Sequence, residues 1–122
     1  MTSTGVADSQ PTIASLFFGS ADNLRAVAGG GQQPSAPLAS GTTFYRVTTV
    51  ANSNDSVTLP LSKAGMFLVV TNAHATNSVN VFPNLGDNIN ALGTNNAFAL
   101  AAGKVALFFC VSTGQWHSLL TS

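Results

Sequence analysis

Charge is what this sequence has least of. Four acids (Asp8, Asp22, Asp55, Asp87) and four bases (Arg25, Arg46, Lys63, Lys104) serve 122 residues, and Glu is absent. The charged share of 7% lies far below the usual value of about 25%. Zero net charge leaves no cluster of Lys and Arg for phosphates, so nucleic acid is not an expected partner. Cysteine is nearly missing too. Cys110 stands alone, which excludes an internal disulfide and any Cys-based metal site within one chain. Set inside ALFFCV, its thiol is expected to be buried and inert, since reactivity needs exposure and a nearby cation. No apolar run approaches the roughly 18 residues of a spanning helix, so no membrane is expected. The longest, Val105 to Val111, suits a strand. The opening MTSTGVADSQ lacks a basic region followed by an apolar stretch, which predicts a chain without a signal peptide, made in a reducing cytoplasm.

Groups able to work together in catalysis are equally scarce. His74 in the turn NAHATN and His117 beside Trp116 have no second His or carboxylate at metal-ligand spacing. A glycosidase pair would have to come from the distant Asp55 and Asp87, and nothing in the sequence links them. The run Gly29-Gly30-Gly31 has neither a preceding strand nor a following Lys-Ser/Thr, so it reads as a linker and not a phosphate loop. Gly86-Asp87-Asn88-Ile89-Asn90 offers oxygens in a tight loop, as Ca²⁺ prefers. A single carboxylate is few for such a site, and Asp and Asn commonly fold back on their own backbone in turns. No enzyme, metal or cofactor is expected.

What is present is β pattern. TFYRVTTV closes on the turn Asn52 to Asp55, and Val57, Leu59 and Leu61 alternate as a half-buried strand. Met66 to Thr71 is apolar on both faces and predicts a central strand covered on both sides. Val79 to Phe82 is stopped by Pro83. After an Asn/Gly-rich connection over 84–96, with Ile89 and Leu92 as inward plugs, come Phe98 to Leu100, Val105 to Val111 and Gln115 to Leu120. Leu59-Pro60-Leu61-Ser62-Lys63-Ala64-Gly65 leads into MFLVVT much as Phe98-Ala99-Leu100-Ala101-Ala102-Gly103-Lys104 leads into VALFFCV, an echo that suggests two similar hairpins packed face to face. Asp22 to Ala28 is the one helical candidate. An all-β fold follows: an antiparallel β-sandwich or barrel-like domain over 41–122, with an extended N-terminal arm or linker over 1–40.

Such a surface, β-rich and poor in charge, invites pairing of its edges and apolar patches. The chain therefore reads as a part that copies of itself or a larger assembly will cover. Leu16, Phe17 and Phe18 are the candidate anchor of the arm, since three large apolar residues are unusual in a disordered tail. Trp116, in the terminal strand QWHSLL, is expected at a sheet edge or subunit contact.

The pattern resembles a module of tailed-bacteriophage structural proteins over the last two-thirds of the chain. The matching residues are Val57-Leu59-Pro60, Ala64-Gly65-Val70-Asn72, Asn77-Val79-Val81-Phe82-Pro83, Gly86-Asp87-Ile89-Asn90, Leu100-Ala101-Ala102-Gly103-Lys104 and Gly114-Trp116. The resemblance implies a virion component and carries no active groups. It suggests a small capsid decoration or cement protein, trimeric, that bridges subunits of the major capsid protein on the capsid surface. The alternative is a head-fibre or tail-fibre module that binds host glycans through Asn-rich loops and Trp116.

Overall fold

The computed structural model describes residues 17–33 and 36–121. Nine strands run through them, with no helix among the described residues: β1 (Ser20–Arg25), β2 (Phe44–Thr49), β3 (Ser56–Thr58), β4 (Phe67–Asn72), β5 (Val79–Phe82), β6 (Asn88–Ile89), β7 (Phe98–Leu100), β8 (Val105–Ser112) and β9 (Gln115–Leu120). The chain is all-β, as its pattern predicts. The runs rich in β-branched and aromatic residues became strands because such side chains pack well on a pleated, half-buried surface. Pro83 follows β5 directly, where its missing N–H ends the ladder.

The strands form two sheets, one ordered β1-β2-β4-β8-β9-β6 and one ordered β3-β5-β7. From β2 to β8 the chain alternates between them, so each strand returns to its own sheet after a visit to the other. That crossing supplies the long connection which parallel neighbours need. Accordingly β2 and β4 are parallel, as are β3 and β5, β1 and β2, and β6 and β9. Only β4–β8, β8–β9 and β5–β7 are antiparallel. The expected antiparallel sandwich or barrel is thus corrected to a pair of mixed sheets with a solenoid-like course.

Both sheets bury side chains in one core. The larger contributes Tyr45, Val47, Leu68, Val70, Ala106, Phe108, Cys110 and Trp116; the smaller contributes Val57, Val79, Val81 and Leu100. Fully burying side chains of this size contributes roughly 1.5–3 kcal/mol each. Ser56, Thr58 and Asn72 are polar and fully buried, and Asn72 links the sheets. Its Nδ2 donates to the carbonyls of Asn77 (2.9 Å) and Leu100 (3.0 Å), while Oδ1 accepts the His74 N–H (3.1 Å). It ties the end of β4 to the end of β7 in the other sheet.

The N-terminal region needs correction. Residues 20–25 are neither helix nor free arm, because β1 lies in the sheet beside β2 and Ala26 enters the core. The glycine run is no loose linker either. Val27 and Ser56 exchange backbone hydrogen bonds (2.7 and 3.0 Å), and the Ser56 hydroxyl donates to the Gly31 carbonyl (2.6 Å). The described residues of the expected 1–40 arm are therefore part of the folded domain from Ser20 onward. Farther along, Val57 and Leu59 are buried among neighbours that are buried as well, so no half-buried alternation exists there, and Leu61 is exposed. Ile89 plugs the core as expected, but Leu92 faces solvent.

The internal echo has a physical counterpart. Met66 N–H closes a turn on the Lys63 carbonyl (3.0 Å), and Lys104 N–H closes its equivalent on Ala101 (3.2 Å). The third positions, Gly65 (φ 89°) and Gly103 (φ 76°), adopt the positive φ that such turns require. Each turn then hooks onto the other unit's strand: Gly65 N–H to Cys110 O and Gly103 N–H to Asn72 O, both at 2.8 Å. The units are not hairpins. Each crosses from the small sheet to the large one, and their long strands β4 and β8 pair antiparallel.

Candidate assembly surface

Strands alternate their side chains, so those that do not enter the core lie on the opposite face of the six-stranded sheet. On that outer face, register lines up apolar residues across four strands. One row reads Phe44–Val69–Leu107–Leu119 across β2, β4, β8 and β9. The next reads Phe67–Phe109–His117. Phe44 and Phe67 are 41% and 43% exposed, and Leu119 and Val111 are 63% and 66% exposed. No acidic or basic Asp, Arg or Lys side chain stands in either row. The central strand β4 therefore carries apolar residues on both faces, as predicted, but the core covers one face only among the described residues.

Two aromatic contacts organise the surface. Phe18 packs edge-on against Phe44 and Phe67, with ring centroids 6.0 and 5.9 Å apart. His117 stacks on Phe109 at 5.7 Å. The chain enters beside them: the Gly19 carbonyl accepts the N–H groups of Thr43 (3.0 Å) and Phe44 (3.1 Å). Toward β1 the face becomes polar. Arg46 Nε and Nη2 donate to Asp22 at 2.6 and 3.2 Å, and the Asn23 N–H also reaches Asp22 Oδ1. The Arg46 hydrogen bond, followed by the Asn23 N–H, lowers the carboxyl's proton affinity below its ordinary value. Both side chains are largely exposed, so solvent screens the pair.

The four predicted contact residues fare differently. Leu16 lies outside the described residues. Phe17 is 93% exposed, and Phe18 sits half-exposed on the aromatic face just described. Trp116 is a correction. It is fully buried in the core, because its position on β9 opposite Cys110 of β8 turns the indole inward. It therefore offers no ring to a subunit or a sugar. Its indole N–H, like Asp87 Oδ2 and Asn88 Oδ1, is buried without a partner among the described residues.

Chemistry is sparse elsewhere. Among the described residues no group of three His, Cys, Asp or Glu stands close enough to hold a metal ion. His74 Nδ1 accepts the N–H groups of Thr76 and Asn77 and so caps its own turn. The GDNIN segment serves the backbone: Asp87 N–H closes a turn on the Asn84 carbonyl, Asn88–Ile89 forms β6, and Asn90 N–H bonds Trp116 O at 2.7 Å. Asn95 Oδ1 accepts the Gly86 N–H at 2.7 Å and braces the same loop. Cys110 is buried, as its setting predicts. An apolar cavity of about 200 Å³ lies between β1 and the segment Pro37 to Ala39. That is below the roughly 300 Å³ at which small-molecule sites begin. No described helix is long and apolar enough to cross a membrane.

The outer face as a continuous surface is what residue-by-residue reading overlooked. Its signal was present in β4 and β8, whose runs Phe67 to Val70 and Val105 to Val111 hold no charged residue and alternate no polar with apolar positions. No protein-family model, curated protein or solved structure matches this chain.

Proposed function

We propose that this chain is a structural part of a tailed-bacteriophage virion, a capsid decoration or cement protein. In this reading it works as a homotrimer that bridges subunits of the major capsid protein on the capsid surface, after assembly in the host cytoplasm. The observation that carries the proposal is the apolar outer face, whose two rows are paired across four strands without Asp, Lys or Arg and are covered among the described residues only by Phe18. Contiguous apolar surface rimmed by polar residues is the mark of a protein–protein contact. The turn pattern running from Val57 to Trp116 supports placing that contact in a virion. Repetition over a shell multiplies weak contacts, so no single copy has to bind tightly. The alternative fibre module loses support, since Trp116, its aromatic platform for glycans, is buried.

Quantitative protein analysis of purified particles tests the proposal. Decoration predicts hundreds of copies, close to the number of coat subunits, and heads that burst more readily under heat or osmotic shock when the protein is missing. A few copies per particle, intact heads without the protein and lost host adsorption would assign it to a fibre instead.

A further inference from the structure

We infer that His74 is an acid-sensitive latch on a turn that joins the two sheets: a proton added to its ring opens the turn. The latch does not depend on the virion reading. The turn runs from Asn72, at the end of β4 in the large sheet, to Asn77, shortly before β5 begins in the small one. His74 is half-buried within it. Its Nδ1 accepts two backbone N–H groups, from Thr76 at 3.3 Å and from Asn77 at 3.0 Å. A ring nitrogen approached by two donors presents its lone pair to them. The ring is therefore neutral and carries its proton on Nε2. In that tautomer Nδ1 is the one basic site, so an incoming proton and the two N–H groups compete for the same lone pair. Protonation turns the acceptor into a donor and leaves both N–H groups facing a positive ring.

Asn77 carries the effect outward. Its carbonyl accepts Asn72 Nδ2 at 2.9 Å, and that same amide reaches the Leu100 carbonyl of β7 at 3.0 Å. Its own Nδ2 donates to the Val50 carbonyl at 2.7 Å. The N–H that His74 holds thus belongs to the residue that fastens the end of β4, the approach to β5 and the segment after β2. The elements packed against the turn bring four other ionisable residues: Tyr45 and Arg46 on β2, Asp55 in the 52–55 turn and Lys104 in the 101–104 turn. β5 and β7 bring none. The Tyr45 hydroxyl donates to the Thr42 carbonyl, Arg46 is held by Asp22, and Asp55 Oδ2 accepts the Asn52 N–H at 3.1 Å. Lys104 meets the turn through its carbonyl, which accepts the Asn72 N–H at 2.9 Å. Among the described residues the ring's hydrogen bonds go to the turn's own backbone and to none of these four.

NMR spectroscopy on the full chain tests the latch at pH 8 and pH 5, on either side of the pH near which imidazole ordinarily gains its proton, about 6.5. At pH 8 the His74 ring nitrogens should show the Nε2–H tautomer. Protection of the Thr76 and Asn77 amides from hydrogen exchange, taken relative to an unstructured chain, should fall roughly three- to tenfold at pH 5. His74→Asn gives the sharpest comparison. Its Oδ1 replaces Nδ1 as the acceptor and gains no proton, so protection should hold at both pH values. His74→Ala should lack that protection at both. An Nδ1–H tautomer at pH 8, or wild-type protection that does not change with pH, would overturn the inference. So would protection that survives in His74→Ala, or a His74→Asn chain that loses it in acid as wild type does, since Asp55 or another group would then be the sensor. The tautomer and the pH response are read on the wild type, so the test stands even where a variant fails to fold.

Discussion

The two faces of the six-stranded sheet both carry large apolar side chains and live in different surroundings. On β4, Leu68 and Val70 are sealed in the core while Phe67, next to them, is half-exposed. On β9, Trp116 is buried and His117 beside it lies on the outer face. What distinguishes the faces is that the three-stranded sheet covers one, and nothing described in this chain covers the other apart from Phe18. The lesson is that an apolar strand reports how much surface must be buried. It does not report whose surface does the burying.

Neighbouring substitutions break this comparison most sharply. Trp116→Ala should destabilise the fold by about 3–5 kcal/mol, whereas His117→Ala should change stability by no more than about 0.5 kcal/mol. Denaturant melts of both variants check this, and equal losses would mean that the outer face is part of the folding core.

A smaller effect is expected at the inner polar position. Asn72→Ala removes three hydrogen bonds and leaves the Asn77 and Leu100 carbonyls without their partner. The expected loss is about 2–3 kcal/mol by the same melts. A loss near zero would show that the two sheets hold together without this tie.

Tyr45 gives the inner face a pH dependence. Burial raises its phenol above the ordinary value of 10.0, while its hydroxyl donates toward the carbonyls of Ala39 and Thr42. The folded state therefore holds the proton more tightly than the unfolded state. Stability should be complete below the ordinary value and decline as pH rises through the folded value. Because Tyr45 is the only tyrosine, phenolate absorbance reports it alone. The midpoint should lie above that of the unfolded chain, and Tyr45→Phe should abolish the alkaline decline.

The least effect belongs to the exposed pair at the β1 end of the outer face. Arg46 lowers the carboxyl of Asp22, so the contact is present at neutral pH and is lost as pH falls through the lowered value. Solvent screening makes that contact nearly silent in stability. Arg46→Gln should leave the melting temperature unchanged, while Asp22 titration followed by NMR returns toward its ordinary value. A clear fall in melting temperature would show that β1 depends on this pair.

Legibility varied from element to element for physical reasons. The segments that became β2, β5, β7, β8 and β9 announced themselves through β-branched and aromatic runs bounded by Pro, Gly and Asn. SADNLR did not, because β1 is an edge strand that joins β2 mainly through its backbone, with Asn23 in the left-handed region (φ 57°). The two residues of β6 are too few to show a period. Trp116 was misplaced because one terminal strand does not reveal which of its faces meets the core. Phe17 and Phe18 were singled out as part of an arm's anchor, but the seat of Phe18 on Phe44 and Phe67 joins segments far apart in the chain.

By itself the sequence determined the β character, most strand positions, the two matched turns at Lys63 to Met66 and Ala101 to Lys104, and the excess of apolar surface over charge. These are local consequences of side-chain shape, turn chemistry and composition. Tertiary structure alone decided the parallel pairings, the capture of β1 into the sheet, the inward turn of Trp116 and the assembly of one open apolar face. Those depend on strand register, and register is set between segments that the chain order keeps apart.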